Sequence, residues 1–137
     1  MPIETFDETV IVADNDSMMR GLLRTLLAQP GRTLLLCVDG LEAVELATQT
    51  LVTAVLLDLR MPRLGGIETC MQIRELPRYA RVPIVILTVF DGDALRRQAL
   101  KAGATSFLAK PFSRGELLAV INPLIEAQKR TLELERH

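Results

Sequence analysis

The sequence predicts an α/β fold, a doubly wound parallel sheet of five strands forming a three-layer sandwich with helices, on three observations. Five short runs are apolar and rich in β-branched residues, at 9–13 (TVIVA), 33–38 (TLLLCV), 53–57 (TAVLL), 83–87 (PIVIL) and 105–108 (TSFL). A segment that reads as helix follows each run. Turn-forming residues punctuate the chain at Pro30-Gly31, Pro62, Gly65-Gly66, Pro77, Gly103 and Pro111. Parallel neighbours need crossovers, crossovers are right-handed, and helices then cover both faces of the sheet.

Run 9–13 is apolar throughout, as suits a strand covered on both faces. After it, Met19, Leu22, Leu23, Leu26 and Leu27 recur at i, i+3, i+4 and i+7, and Asp16 or Ser17 is placed to cap the helix they define. The methionines of this segment read as core filler rather than ligands. The second strand leads to a helix over 40–50, the third to one over 66–76 behind Gly65-Gly66, and the fourth to one over 91–102. A last helix starts near residue 113. Its end, 126–137 (EAQKRTLELERH), is charge-rich, and Glu126/Arg130 and Lys129/Glu133 at i, i+4 support a helix running past the core. Leu117, Leu124, Ala127 and Leu134 form a weak apolar stripe along it. The plain reading is a solvated helix end; a dimer contact or the stump of a connector to an output domain are the other readings.

A chain of 137 residues with 49% hydrophobic content holds one domain around one well-filled core. A net charge of −1 argues against direct binding to nucleic acid or to an anionic membrane. The N-terminus, MPIETFDET, lacks the basic start and apolar run of a secretory signal, and no stretch approaches the length of a membrane span, so a cytoplasmic location is expected. Cys37 and Cys70 lie far apart in apolar segments and read as buried free thiols. The single histidine, His137, stands at the chain terminus and reads as neither ligand nor phosphodonor.

In a doubly wound sheet, ligands bind beyond the carboxyl ends of the strands. Asp14-Asn15-Asp16 follows the first strand, Asp58 the third, Thr88 the fourth and Lys110-Pro111 the fifth. Carboxylates gathered this closely raise one another's pKa unless a cation sits among them, which points to a hard, oxygen-loving metal such as Mg²⁺. A carboxylate beside Mg²⁺ can attack phosphorus and form an acyl phosphate, and Asp58 is best placed to do so. The Lys110 ammonium then offsets charge on the phosphoryl oxygens, and the Thr88 hydroxyl donates to one of them. Each residue taken alone has a plainer reading: Asp14 or Asp16 as a helix cap or turn closer, Thr88 as β-branched filler, Lys110 as a solvated loop charge.

From about residue 8 to 126 the ordered motifs resemble those of response-regulator receiver domains: the acidic cluster after the first strand, LLDLRMPRLGG around Asp58, ILT ending at Thr88, and GATSFLAKPF containing Lys110. The resemblance implies a flavodoxin-like (βα)5 fold, with 1–126 as the receiver domain and 127–137 as a helical extension or connector stump. It implies that Asp58 is the phosphoacceptor and that Asp14, Asn15, Asp58 and the backbone carbonyl of Arg60 surround Mg²⁺, or Mn²⁺. It also implies that Thr88 is the switch hydroxyl, that Lys110 contacts the phosphoryl group and that Phe107 is the switch aromatic. By the same resemblance the phosphoryl group comes from a histidine kinase or phosphotransfer protein. Phosphorylation then alters the helix 4, strand 5 and helix 5 face, which meets an output domain, a partner protein or a second copy. Such a domain is not an enzyme beyond catalysing its own phosphoryl transfer and dephosphorylation.

Three positions depart from that pattern. Asn15 stands where the family usually has a second acid, which predicts weaker Mg²⁺ binding unless Asp16 contributes. Val89, where the family has a very small residue, and Phe90 crowd the way to Asp58, and Arg60 sits at the rim; a long-lived phosphoryl state is expected. Two alternatives remain at this level: a pseudo-receiver that works without phosphorylation, suggested by Asn15, and a haloacid-dehalogenase-like phosphatase using Asp14-x-Asp16.

Overall fold

The computed structural model describes residues 8–89 and 92–136. Five strands and five helices alternate: β1 (Glu8–Ala13), α1 (Ser17–Leu27), β2 (Arg32–Cys37), α2 (Gly40–Gln49), β3 (Ala54–Asp58), α3 (Gly66–Glu75), β4 (Ile84–Thr88), α4 (Asp93–Lys101), β5 (Ser106–Ala109) and α5 (Arg114–Arg136). A short 3₁₀ turn, Pro77–Tyr79, follows α3 and was not foreseen. Proline at its first position, where no amide donor is needed, explains it.

All pairings are parallel and the strand order is β2-β1-β3-β4-β5. Side chains alternate across the sheet, so each central strand feeds two cores. Ile11, Ala13, Val55, Leu57, Ile84 and Ile86 face α2, α3 and α4. Val10, Val12, Ala54, Leu56, Val85 and Leu87 face α1 and α5, where they meet Leu23, Leu27, Leu117, Ile121 and Ile125. The expectation of strands covered on both faces holds for β3 and β4, whereas β2 and β5, at the sheet edges, are largely half-buried.

Strands three to five begin and end one residue later than the sequence suggests. At the third and fifth, Thr53 and Thr105 are the cause. Each turns its hydroxyl to a backbone amide of the neighbouring strand, Thr9 N–H at 3.0 Å and Ile84 N–H at 3.0 Å, and so precedes its strand. Asp16 is the α1 cap, accepting from the Met18 amide at 2.9 Å, and Asp39 caps α2 through Glu42. Both cysteines are free and buried, and burial pushes the Cys70 thiol up to about 11. Among the described residues no helix is long and apolar enough to cross a membrane.

At the end of the sheet away from the strand C-termini, a buried ionic network ties α5 to β1 and β2. Arg32 donates to Glu8 at 2.7 Å, to the Leu27 carbonyl at 2.9 Å and to Asn122 at 3.1 Å. Lys129 reaches Glu8 at 3.1 Å and Glu126 at 3.8 Å. Lys129 therefore folds back onto the sheet, and the buried row on α5 is Leu117, Ile121 and Ile125; Ala127 and Leu134 of the expected stripe are exposed.

Burial pushes the Glu8 carboxyl up, but the hydrogen bonds and charges of Arg32 and Lys129 outweigh it and hold Glu8 below the ordinary carboxylate range. A carboxyl lowered on folding contributes stability that is complete above its unfolded pKa, about 4.3, and is lost as pH falls through the folded value. Glu8→Gln is expected to cost about 3 kcal/mol at neutral pH, because it leaves the Arg32 charge buried without its partner. It should also flatten the loss of stability below about pH 4.3. Urea unfolding across acidic and neutral pH measures both, and an unchanged acid slope would count against this role for Glu8.

Candidate functional site

Strand pairing brings the four expected segments to one edge. Asp14 N–H donates to the Cys37 carbonyl at 3.1 Å, Leu59 N–H to Leu87 at 2.8 Å, and Lys110 N–H to Thr88 at 2.6 Å. Registers of Ala13 with Leu57, Asp58 with Leu87 and Thr88 with Ala109 make the ends of β1, β3, β4 and β5 level. The edge lies where the strand order reverses, β1 leading to β2 on one side and β3 following on the other. Behind Asp58, α3 starts at Gly66, where a Cβ would press on the Asp58 carbonyl oxygen and sit 3.0 Å from Leu59 Cα. Only glycine lets the helix begin so close to the strand. The Lys110–Pro111 peptide is cis.

A cleft of about 160 Å³ opens at this edge, lined by Asp14, Asp16, Asp58, Arg60, Thr88, Val89 and Lys110. At its centre the Lys110 ammonium donates to Asp14 Oδ2 at 3.0 Å and to Asp58 Oδ1 at 3.2 Å. The Asp14 side chain is 1% exposed and that of Asp58 15%, so of these two Asp58 is the more open to the cleft. Burial pushes the Asp58 carboxyl above the ordinary range and the Asp14 charge adds to the rise; Lys110 and the Leu59 amide reverse only part of it.

Of the expected residues, Asp14, Asp58, Thr88, Lys110 and Arg60 meet in the cleft, and Val89 stands on its wall, 66% exposed. Asn15 does not line it: the side chain is exposed, and Asp16 takes a place on the wall instead. Phe107 is buried on β5, with the Arg96 guanidinium of α4 5.1 Å from its ring centre. Phe90 and His137 lie outside the described residues. Two contacts escaped the sequence reading. Asp16 N–H donates to Asp14 Oδ1 at 2.9 Å, and Arg20 Nη1 donates to the Asp14 carbonyl at 2.6 Å, so the start of α1 braces Asp14 from both ends. An arginine four residues after a capping Asp was the available signal.

Among the described residues no group of three or more His, Cys, Asp or Glu side chains is disposed to hold a metal. The donor chemistry nevertheless fits Mg²⁺, which keeps several waters and takes only one or two carboxylates from a protein. Asp14 and Asp58 are the two carboxylates at its centre that such an ion would take, and the described lining has neither thiolate nor imidazole that would favour a softer ion.

Because folding raises the Asp58 carboxyl, its ionisation costs stability progressively as pH rises from the unfolded carboxylate value and in full above the folded one. Asp58→Asn should therefore raise the urea midpoint at neutral pH, with the gain vanishing at acid pH below the unfolded carboxylate value. Lys110→Met, which leaves two buried carboxylates facing each other, should lower stability by about 3 kcal/mol. Equal midpoints for wild type and Asp58→Asn at neutral pH would remove the electrostatic account of the pair.

Residues 10–122 match the response regulator receiver domain family. The response regulator MprA of Mycobacterium ulcerans (strain Agy99) is 39% identical over 120 residues, covering 88% of this chain and 51% of the relative. The chain thus spans about half the length of the curated relatives it matches. The receiver domain of the sensor histidine kinase PA1611 from Pseudomonas aeruginosa, solved with a magnesium ion coordinated in its active site cleft, is 31% identical with a TM-score of 0.75, over 87% of this chain and 98% of that one. The Francisella response regulator 1452 receiver domain is 29% identical with a TM-score of 0.79, over 88% and 98% of the two chains. Fold, cleft and likenesses agree, and the chain belongs to the response regulator receiver domains of two-component signalling.

Proposed function

We propose that this receiver domain accepts a phosphoryl group on Asp58. The observation that carries the reading is the Lys110 ammonium within hydrogen-bonding distance of both Asp14 and Asp58 in an open cleft. An Asp58 carboxylate oxygen forms the new bond to phosphorus as the bond to the donor's leaving group breaks, the electron pair departing with that group. Asp14 and Asp58, with the Arg60 backbone carbonyl, would hold Mg²⁺ or Mn²⁺; Asp16 is a better-placed supplement than Asn15 because it lines the cleft. When bound, the ion offsets the charge of the phosphoryl oxygens and draws electron density from phosphorus. Lys110 supplies a fixed positive charge at the same oxygens, and the Thr88 hydroxyl, on the cleft wall, donates to one of them. Phe107 then reports the state of Thr88 to the α4, β5 and α5 face. The magnesium held by the Pseudomonas relative supports the metal assignment.

The phosphodonor in this reading is a histidine kinase or a phosphotransfer protein in the cytoplasm, and the switched face meets an output domain or a separate partner. The domain turns over nothing but its own phosphoryl group. The length of α5 beyond 126 suits an extension or connector. The family match sets aside the dehalogenase-like phosphatase, and the retained Asp58, Thr88 and Lys110 favour phosphorylation over a pseudo-receiver.

Incubation with Mg²⁺ and a small acyl-phosphate donor should yield one phosphoryl adduct by intact mass, absent from Asp58→Ala. If wild type acquires no adduct and binds no beryllium fluoride mimic, the proposal is wrong. Val89 stands on the wall where a hydrolytic water must pass, so Val89→Ala should speed loss of the adduct by a factor of about 3, equivalent to a barrier change of under 1 kcal/mol. Identical decay in the two proteins would clear Val89 of any role.

A further inference from the structure

The loop between Asp58 and α3 is fastened to a neighbouring loop by an ion pair that lies outside the cleft. Arg63 Nε donates to Asp39 Oδ2 at 2.6 Å. Asp39 is buried, and its other carboxylate oxygen accepts the Glu42 amide at 3.0 Å to cap α2. Arg63 has φ +66°, in the left-handed region that a residue with a side chain enters at a cost, so something must hold it there. Beside it, the Gly40 amide donates to the Leu64 carbonyl at 3.2 Å, and a Cβ on Gly40 would overlap Thr69 and Leu64, so the two loops are in direct contact. Leu64 N–H closes a tight turn onto Pro62 at 2.7 Å, and Gly66 N–H returns to the Leu59 carbonyl at 2.8 Å. Arg60, on the cleft wall, lies inside this closed loop.

We propose that Arg63 is a positioning residue: its ion pair with Asp39 holds the 59–65 loop so that the Arg60 backbone and Asp58 present their oxygens to the cation. The inference rests on the metal reading of the cleft given above. Arg63 does not line the cleft, and 57% of its side chain is exposed. Its effect on the metal therefore passes through the loop backbone.

Three variants separate the causes. Asp39→Asn keeps a side chain that caps helices as well as aspartate does but removes the charge that Arg63 meets. Arg63→Gly removes the ion pair while relieving the cost of the positive φ. Arg63→Lys keeps the positive charge but offers a single ammonium in place of the guanidinium. Titration with Mg²⁺ alone, followed calorimetrically on the folded full-length chain, should show Asp39→Asn and Arg63→Gly each binding about tenfold more weakly than wild type. The double variant should be no weaker than either single one, and Arg63→Lys should recover part of the loss. In the metal-free protein, the Gly66 amide should exchange faster in both single variants. Equal Mg²⁺ affinity and equal Gly66 exchange in wild type and Arg63→Gly would overturn the inference while leaving the metal site intact. Weakening in Asp39→Asn but not in Arg63→Gly would overturn it too, assigning the effect to the α2 cap. Wild type that binds no Mg²⁺ would overturn the metal reading itself and this inference with it.

Discussion

One lysine ammonium between two carboxylates organises the working end of this domain. Asp14 and Asp58 belong to neighbouring strands of a parallel sheet, and the pairing that builds the sheet forces their side chains onto the same edge. Two negative charges in a largely buried setting are costly, and the Asp58 carboxyl is raised first by its burial and then by the Asp14 charge. Lys110, delivered by β5 from across β4, meets both. The fold thus brings together groups that would be unstable without a cation, which is the property on which the proposed binding of a phosphoryl group and a hard metal ion rests.

The remaining architecture keeps those three side chains in place. Gly66 lets α3 begin against the backbone of Asp58, and the Asp16 amide and Arg20 guanidinium brace Asp14 from α1. At the opposite end of the sheet, Glu8, Arg32, Asn122 and Lys129 join the start of the sheet to α5. Both ends are polar, whereas the two cores between them are apolar, packed separately on the two faces.

Phe107 occupies a different level of this design. Its ring is buried in the core that contains α4, beneath the Arg96 guanidinium, so the aromatic is held both by packing and by a cation over its face. Thr88 and Ala109 are register partners, which puts the threonine two residues along the ladder from the Ile86 and Phe107 pair. A shift at Thr88 therefore has a short physical route to the α4 surface.

Local patterns in the sequence determined the elements. The apolar runs are long enough for strands and too short for helices, Asp16 stands where a helix needs a cap, and Pro77, Gly103 and Pro111 follow the observed ends of α3, α4 and β5 by two residues. Asp58, Lys110, Thr88 and Asp14 were readable because each ends or follows a strand, and parallel strands carry such residues to a common edge. What depends on distance in space was not readable. TLLLC of β2 looks as central as AVLLD of β3, and only the strand order makes β2 an edge. Adjacent residues Asn15 and Asp16 look equally able to reach the cleft, and the turn into α1 selects Asp16. Lys129 has good partners four residues away on its own helix, yet a buried carboxylate 121 residues earlier in the chain receives it. Arg63 and Asp39 are 24 residues apart and belong to no common element, so their pairing is decided by the packing of α2 against α3. Spacing along the chain governs local hydrogen bonds and periodic faces; charges choose partners by desolvation and proximity, and those exist only once the layers have closed.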